Sequence, residues 1–220
     1  MAQGKTDPKL GKMLREFFQA TGLETIQRPQ DKAEAYEGLR DGVRQFLHSM
    51  GLNIEDPSLK DTPMRVADMY TEELCYGLNY DNFPKCTTTP NKPPVNEMVM
   101  VDSIQTVSLC EHHFQTIAGL THIAYIPADS LLGLSKFARV TNFFARRPQV
   151  QERMTEQIYE ALRQILCTDD VAIQQVCIHH CMRSRGAMDP HSTTTTNKMG
   201  GRFLTVPALR QEFLSAIPRR

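Results

Sequence analysis

The chain lacks an excess of either charge: Lys plus Arg and Asp plus Glu both number 25, for a formal net charge of zero. That balance excludes bulk attraction to nucleic acid or an anionic membrane, so any bound anion must be held by a local cluster of cations. The chain also lacks an apolar run approaching the roughly 20 residues of a membrane span. Residues Met1 to Lys12 alternate polar and basic side chains, so no secretory signal is expected and a cytoplasmic protein is. No low-complexity tract interrupts a composition that is 40% hydrophobic and 23% charged, which suits one sizeable core with a helical extension. Cysteine and histidine are scarce, six and seven respectively in 220 residues. In a reducing compartment those thiols need not pair as disulfides.

What is there is concentrated. Cys110-Glu111-His112-His113 and His179-His180-Cys181 hold two of the six cysteines and four of the seven histidines. Cys110 and His113 are three apart, a spacing that brings both side chains to one side of a turn or helical start. His179 and Cys181 are two apart, so on a strand they share a face and His180 points away. Cys110, His113 and Cys181 together would form a Cys2His zinc set with a fourth position for water. A closed structural site, with His179 or His112 as fourth ligand, fits the spacing equally well. Thiolate and imidazole favour zinc over magnesium or calcium in either case. If they are not ligands, His112 and His179 lie beside the metal as side chains able to carry a proton near neutral pH. Cys75 and Cys167 read as buried or incidental thiols, and His48, His122 and His191 as ordinary surface or core residues.

The rest of the chain falls into two regions. Leu10, Met13, Leu14, Phe17 and Phe18 follow helical spacing, as do Tyr36, Leu39, Val43, Phe46, Leu47 and Met50 before Gly51. Thr62-Pro63 reads as a cap followed by proline at the first helical position, opening a third helix towards Gly77. Residues 79 to 96, rich in Pro, Asn and Thr, read as a connection or boundary. From there the pattern predicts a strand from Met98 through Val107, a hairpin near Gly119, and a strand over His122 to Ile126. Helices are predicted from Ser135 to Arg146 and from Val150 to Leu166, broken at Arg147-Pro148. A third strand is predicted over Val171 to His180, a fourth over Arg202 to Val206, and a short closing helix over Leu209 to Ile217. This order predicts an α+β domain, residues 96–220, with an antiparallel sheet covered by two helices, after an N-terminal helical region over residues 1–95. Its sheet edges need covering, and an oligomer would do so.

Several motifs in order, Cys110-Glu111-His112-His113, Ala124-Tyr125-Ile126-Pro127, Gly133-Leu134-Ser135-Lys136 with Arg139, Arg147 to Arg153, His179-His180-Cys181 and Arg185-Gly186, resemble GTP cyclohydrolase I from about Thr62 onward. The resemblance implies the tunnelling fold, a four-stranded antiparallel sheet with two helices on one face, assembled into a toroidal homodecamer. It implies zinc-dependent conversion of GTP to 7,8-dihydroneopterin triphosphate and formate, the first step towards folate and pteridines. Carried over, it implies Cys110, His113 and Cys181 as zinc ligands and His112 and His179 as proton-transfer residues. Ser135 would lie near the ribose, and Glu152, with Gln151 as a second candidate, would read guanine. A carboxylate can accept from guanine N1–H and the 2-amino group together. Lys136, Arg139 and Arg185 would hold the triphosphate, where guanidinium forks suit phosphate oxygens. In one respect the chain departs from the pattern: Asp68 stands where some members carry a basic residue. A zinc-stabilised purine or pterin binder, and a tunnelling-fold enzyme of another pterin or deazapurine reaction, are the alternatives. The paired histidines speak against the first, and the Cys-Glu-His-His and Gln-Glu-Arg motifs against the second.

Overall fold

The computed structural model describes residues 5–25, 27 and 31–218. Helix α1 (Pro8–Thr21) starts where Asp7 accepts a bond from Leu10 N and Pro8 supplies a preset φ, and it stops at Gly22 in the left-handed region. It buries Leu14 and Phe18. Helix α2 (Lys32–Ser49) is capped by Asp31 and buries only Leu47, leaving Phe46 62% exposed and Met50 60% exposed. Helix α3 (Thr62–Asp68) begins one residue earlier than expected, with Asp61 rather than Thr62 before it and no side-chain cap. It then widens into a π-turn over Met69–Leu74 and two 3₁₀ turns, Tyr76–Leu78 and Tyr80–Asn82.

The connection is stitched down. Its strand β1 (Thr88–Pro90) will pair with β4 below, and the Asn91 side chain donates to the carbonyls of Val95 and Ala128. Strand β2 (Val99–Cys110) runs three residues beyond the predicted end and carries a register shift between Val101 and Ile104. Strand β3 (Thr116–Tyr125) follows after a turn over residues 111–115, so the cysteine-histidine motif is itself the hairpin. Gly119 is therefore not at the turn. It sits within β3 against Val176 and Cys177, where a Cβ would collide with the Val176 carbonyl. Strand β4 (Ser130–Leu132) pairs antiparallel with β1. Next come α4 (Ser135–Ala145), a two-residue β5 (Pro148–Gln149), α5 (Gln151–Leu166), β6 (Val171–His179) and the short α6 (His180–Arg183).

The fourth strand is not Arg202–Val206. It is the β-branched run Thr194–Met199, β7, paired antiparallel with β6. Gly200 and Gly201 end it, and Arg202 begins instead in α7 (Gly201–Thr205), where its backbone N–H donates to Asp170. Helix α8 (Pro207–Ala216) closes the described chain. The sheet order is β5-β2-β3-β6-β7, antiparallel except for β5, which runs parallel to the end of β2 over Leu109 and Cys110.

Strand alternation sorts the core into two faces. Ile104, Ile123, Tyr125, Val171 and Ile173 face Phe137, Val140 and Phe144 of α4 and Met154, Ile158 and Leu162 of α5. Ala124, Ile126, Ala172 and Met199 face Phe203 of α7 and Phe213 of α8. Each fully buried Phe or Leu contributes ~1.5–3 kcal/mol by transfer from water. Arg147 is wholly buried and pins the N-terminal region to this core. It pairs with Glu24 at 3.3 Å, donates to Tyr80 Oη at 3.2 Å and to the Gly77 carbonyl, and lies over the Phe143 and Phe144 rings. Among the described residues no helix is long and apolar enough to cross a membrane.

Candidate metal centre

Cys110 is the last residue of β2 and is buried. Its N–H donates to Gln115 O at 2.8 Å, and its carbonyl accepts from Phe114 N at 2.8 Å, closing a tight turn with Phe114 in the left-handed region. The turn is fixed from outside by Glu111 N donating to Gln149 O of β5 at 3.0 Å. Pairing of Ile117 with His179 brings the end of β6 beside that turn. The strand stops at His179, so Cys181 projects from the first turn of α6 rather than alternating along a strand. The expectation of a shared strand face for His179 and Cys181 fails for that reason, yet Cys181 still arrives.

Ligand atoms of Cys110, His113 and Cys181 lie within 4.8 Å of one another, the one group of three metal-capable side chains among the described residues. Zn–S and Zn–N bonds of about 2.3 and 2.0–2.1 Å imply tetrahedral edges somewhat shorter than this, so the set fits a small soft cation after slight closure. The chemistry of the donors agrees. Burial first, and then the Cys110 thiol beside it, hold the Cys181 thiol protonated. Two thiolates sharing one pocket repel unless a cation lies between them. Elsewhere burial pushes Cys177 up to about 12 and Cys75 and Cys86 up to about 11, which makes them inert.

The flanking histidines differ. His112 is largely exposed, with Nδ1 3.9 Å from Cys110 Sγ. His179 is half-buried, and its Nε2 lies 2.8 Å from Gln151 Oε1. Burial lowers the His179 pKa and the Glu152 carboxylate opposes that shift, which brings Glu152 into the same neighbourhood. Arg185 Nη1 lies 2.6 Å from His113 Nε2. Gln151 is buried by its own contacts to His179 and β7. Ser135, Lys136 and Arg139 occupy the first turns of α4. Lys136 and Arg139 exert their charge on the Cys86 thiol, and Arg139 lines a cleft of about 320 Å³ with Lys5, Asn82 and Asn142. No contact within the chain joins them to the Cys-His-Cys group among the described residues. Burial first, and then the Asp68 carboxylate near it, raise the pKa of the Tyr36 hydroxyl on α2.

Sequence reasoning missed the side chains behind the site. Glu111 pairs with Arg153, whose Nε donates to Gln149 Oε1 at 3.0 Å. Gln149 donates to Phe144 O and to Gln157 Oε1, and Gln157 donates to Leu23 O at 2.6 Å. The available signal was the polar pair Arg153 and Gln157 at four-residue spacing on amphipathic α5, with Gln149 four residues before them in β5.

The model of the GTP cyclohydrolase I family matches residues 39–218. The chain is 47% identical to GTP cyclohydrolase 1 of Aeromonas hydrophila over 209 residues, covering 94% of this chain and 96% of that protein. It is 47% identical to GTP cyclohydrolase 1 of Vibrio cholerae, with 94% and 96% covered, and 48% identical to that of Aeromonas salmonicida, with 93% and 95% covered.

Proposed function

The chain belongs to the GTP cyclohydrolase I family, and from that premise we propose that it converts GTP to 7,8-dihydroneopterin triphosphate and formate, the first step towards folate and other pterins. The observation that carries the reading is the convergence of Cys110, His113 and Cys181 beside His179. The metal is zinc, held by those three side chains, because two sulfurs and one imidazole suit it better than harder cations. When bound, zinc supplies activated water for attack on the purine.

The chain's own residues do the rest. Hydrolysis at C8 requires N7 to gain a proton and later steps to move others, and His179 and His112 are the carriers, a role worth ~10²–10⁴-fold. Glu152 reads N1–H and the 2-amino group of guanine, and its effect on the His179 pKa supports placing the purine next to that ring. Gln151 enters the pocket through His179 rather than through the base. Ser135 relays a proton as the ribose opens and rearranges. Lys136, Arg139 and Arg185 bind the triphosphate, and their separation along one chain supports a pocket completed by a neighbouring copy. Asp68, an acid whose charge is felt by the Tyr36 hydroxyl, is assigned no part in that binding.

Assembly follows from the same features. Among the described residues, strand β2 has an open edge apart from its two-residue contact with β5, and β7 has another. Phe46 and Met50 stand exposed on α2. A homodecamer of tunnelling-fold subunits, with residues 96–220 as the catalytic domain and 1–95 as the helical extension and connection, covers both. The test is incubation of the zinc-loaded protein with GTP, following formate release and pterin fluorescence. Turnover is expected, abolished in Cys181→Ser and reduced by at least ~10²-fold in His179→Ala. An inert zinc-loaded wild type would sink the reading.

A further inference from the structure

A chain of buried hydrogen bonds runs from the rim of the site deep into the seam between α5 and the sheet. Gln151 is 1% exposed, Thr155 2%, and Gln175, Thr121 and Thr106 are fully buried. The carboxamide of Gln151 cannot be turned over. Its Nε2 lies 3.0 Å from Thr194 O and 3.2 Å from Gln175 O, both carbonyls that only accept, so the amide nitrogen must be there and Oε1 must face His179. That oxygen, 2.8 Å from His179 Nε2, can only accept. The ring therefore carries its hydrogen on Nε2.

The remaining bonds continue inward. Thr196 Oγ1 lies 3.1 Å from Gln151 Nε2 and 2.6 Å from Thr155 Oγ1, whose single hydrogen is shared between Gln175 Oε1 at 2.6 Å and Gln151 O at 2.9 Å. Gln175 Nε2 donates to Thr121 Oγ1 at 2.8 Å, Thr121 to Thr106 at 2.6 Å, and Thr106 to Ile104 O at 3.2 Å. The sense of the first bond is set at Gln151 itself: turning its amide would face Oε1 to the Thr194 and Gln175 carbonyls and leave all three oxygens without a donor. A network needed only to join helix to sheet would gain nothing by extending to a half-buried imidazole at the rim.

We propose that Gln151 is a positioning residue for the reaction: it binds His179 through Nε2–H, fixes the ring's orientation and tautomer, and leaves Nδ1 as the nitrogen presented for proton transfer. This rests on the reading of His179 as a proton carrier. It distinguishes Gln151 from Glu152, adjacent in sequence, whose carboxylate is assigned to the base.

The test uses zinc-loaded, full-length protein labelled with ¹⁵N-histidine. The His179 signals are expected to show a protonated Nε2 and an unprotonated Nδ1; the opposite tautomer would overturn the proposal. In Gln151→Met, which keeps the length and loses the acceptor, kcat is expected to fall on the order of 10- to 100-fold, the usual cost of losing an orienting partner, with KM for GTP unchanged. Should that variant fail to fold, Thr196→Val cuts the series one step further back while leaving both carbonyl partners of Gln151, and a smaller fall in kcat at constant KM is expected. A raised KM with unchanged kcat in either variant would show that Gln151 contacts the purine and would refute the proposal. The ring signals are read without substrate, so they stand apart from His179→Ala, whose full activity would sink the proton-transfer reading instead.

Discussion

The turn that carries Cys110 and His113 and the strand end that carries His179 are both held from behind by buried side chains, but one brace is charged and the other neutral. Behind the turn, Glu111 meets Arg153, and Gln149 and Gln157 continue to Leu23 O. The hydrogen bonds that lead back from His179 run through carboxamides and hydroxyls. A charged pair draws two elements together strongly but does not dictate which nitrogen of an imidazole holds a hydrogen. A carboxamide oriented by two backbone carbonyls, as Gln151 is, does dictate it. The metal turn needs a location; His179, on the reading proposed above, needs a particular nitrogen left open.

The largest effect expected is at the root of the charged side. Arg147 is fully buried against Glu24, which is itself little exposed. Arg147→Met would leave that carboxylate and the Gly77 carbonyl without their partner, at a cost of about 3–5 kcal/mol. Urea denaturation measures it, and a loss under about 1 kcal/mol would show that charge is not what pins the N-terminal region. Arg153→Met comes next. Glu111 keeps partial access to water, so the stability loss should be nearer 1–3 kcal/mol. The sharper readout is metal: freeing the turn should weaken zinc binding about 10- to 100-fold in competition with a chromophoric chelator. Thr121→Val, deep in the neutral brace, should cost ~1–3 kcal/mol by unpairing Gln175 and Thr106, yet leave zinc affinity as it was. Equal zinc loss in both variants would erase the distinction between the braces.

The two braces also mark where sequence reading stopped. Apolar periodicity located α1, α4, α5 and β6 because their apolar residues are buried and the repeat is local; it located α2 as well, although that helix buries only Leu47. Proline and glycine marked the helix starts and stops. The Cys110, His113 and Cys181 set was legible because those residue types are rare and clustered, though the route by which Cys181 reaches it, a helical turn and not a strand, was not. The Thr-rich β7 was passed over in favour of Arg202–Val206 because its side chains are polar. Its inward Thr196 meets Gln151 and Thr155 rather than an apolar core, so the usual alternation of polar and apolar residues is missing. The burial of Gln149, Gln157 and Gln175 had no local signal either. Burial of a polar group depends on a partner distant in sequence, and no local pattern announces it.

The smallest effect expected lies on the same α5–β7 seam, where Lys198 donates to Glu156 at 2.6 Å and sits over the Tyr159 ring. Both side chains keep about a third of their surface in water, so screening and side-chain entropy offset most of the attraction. Lys198→Met should therefore cost under about 1 kcal/mol. In 1 M salt, where charges are screened within ~3 Å, the difference from wild type should shrink further, whereas the Thr121→Val penalty should persist. A Lys198→Met loss rivalling that of Thr121→Val, and insensitive to salt, would mean that this seam too is held by charge, and the neutral series beneath His179 would no longer be its principal fastening.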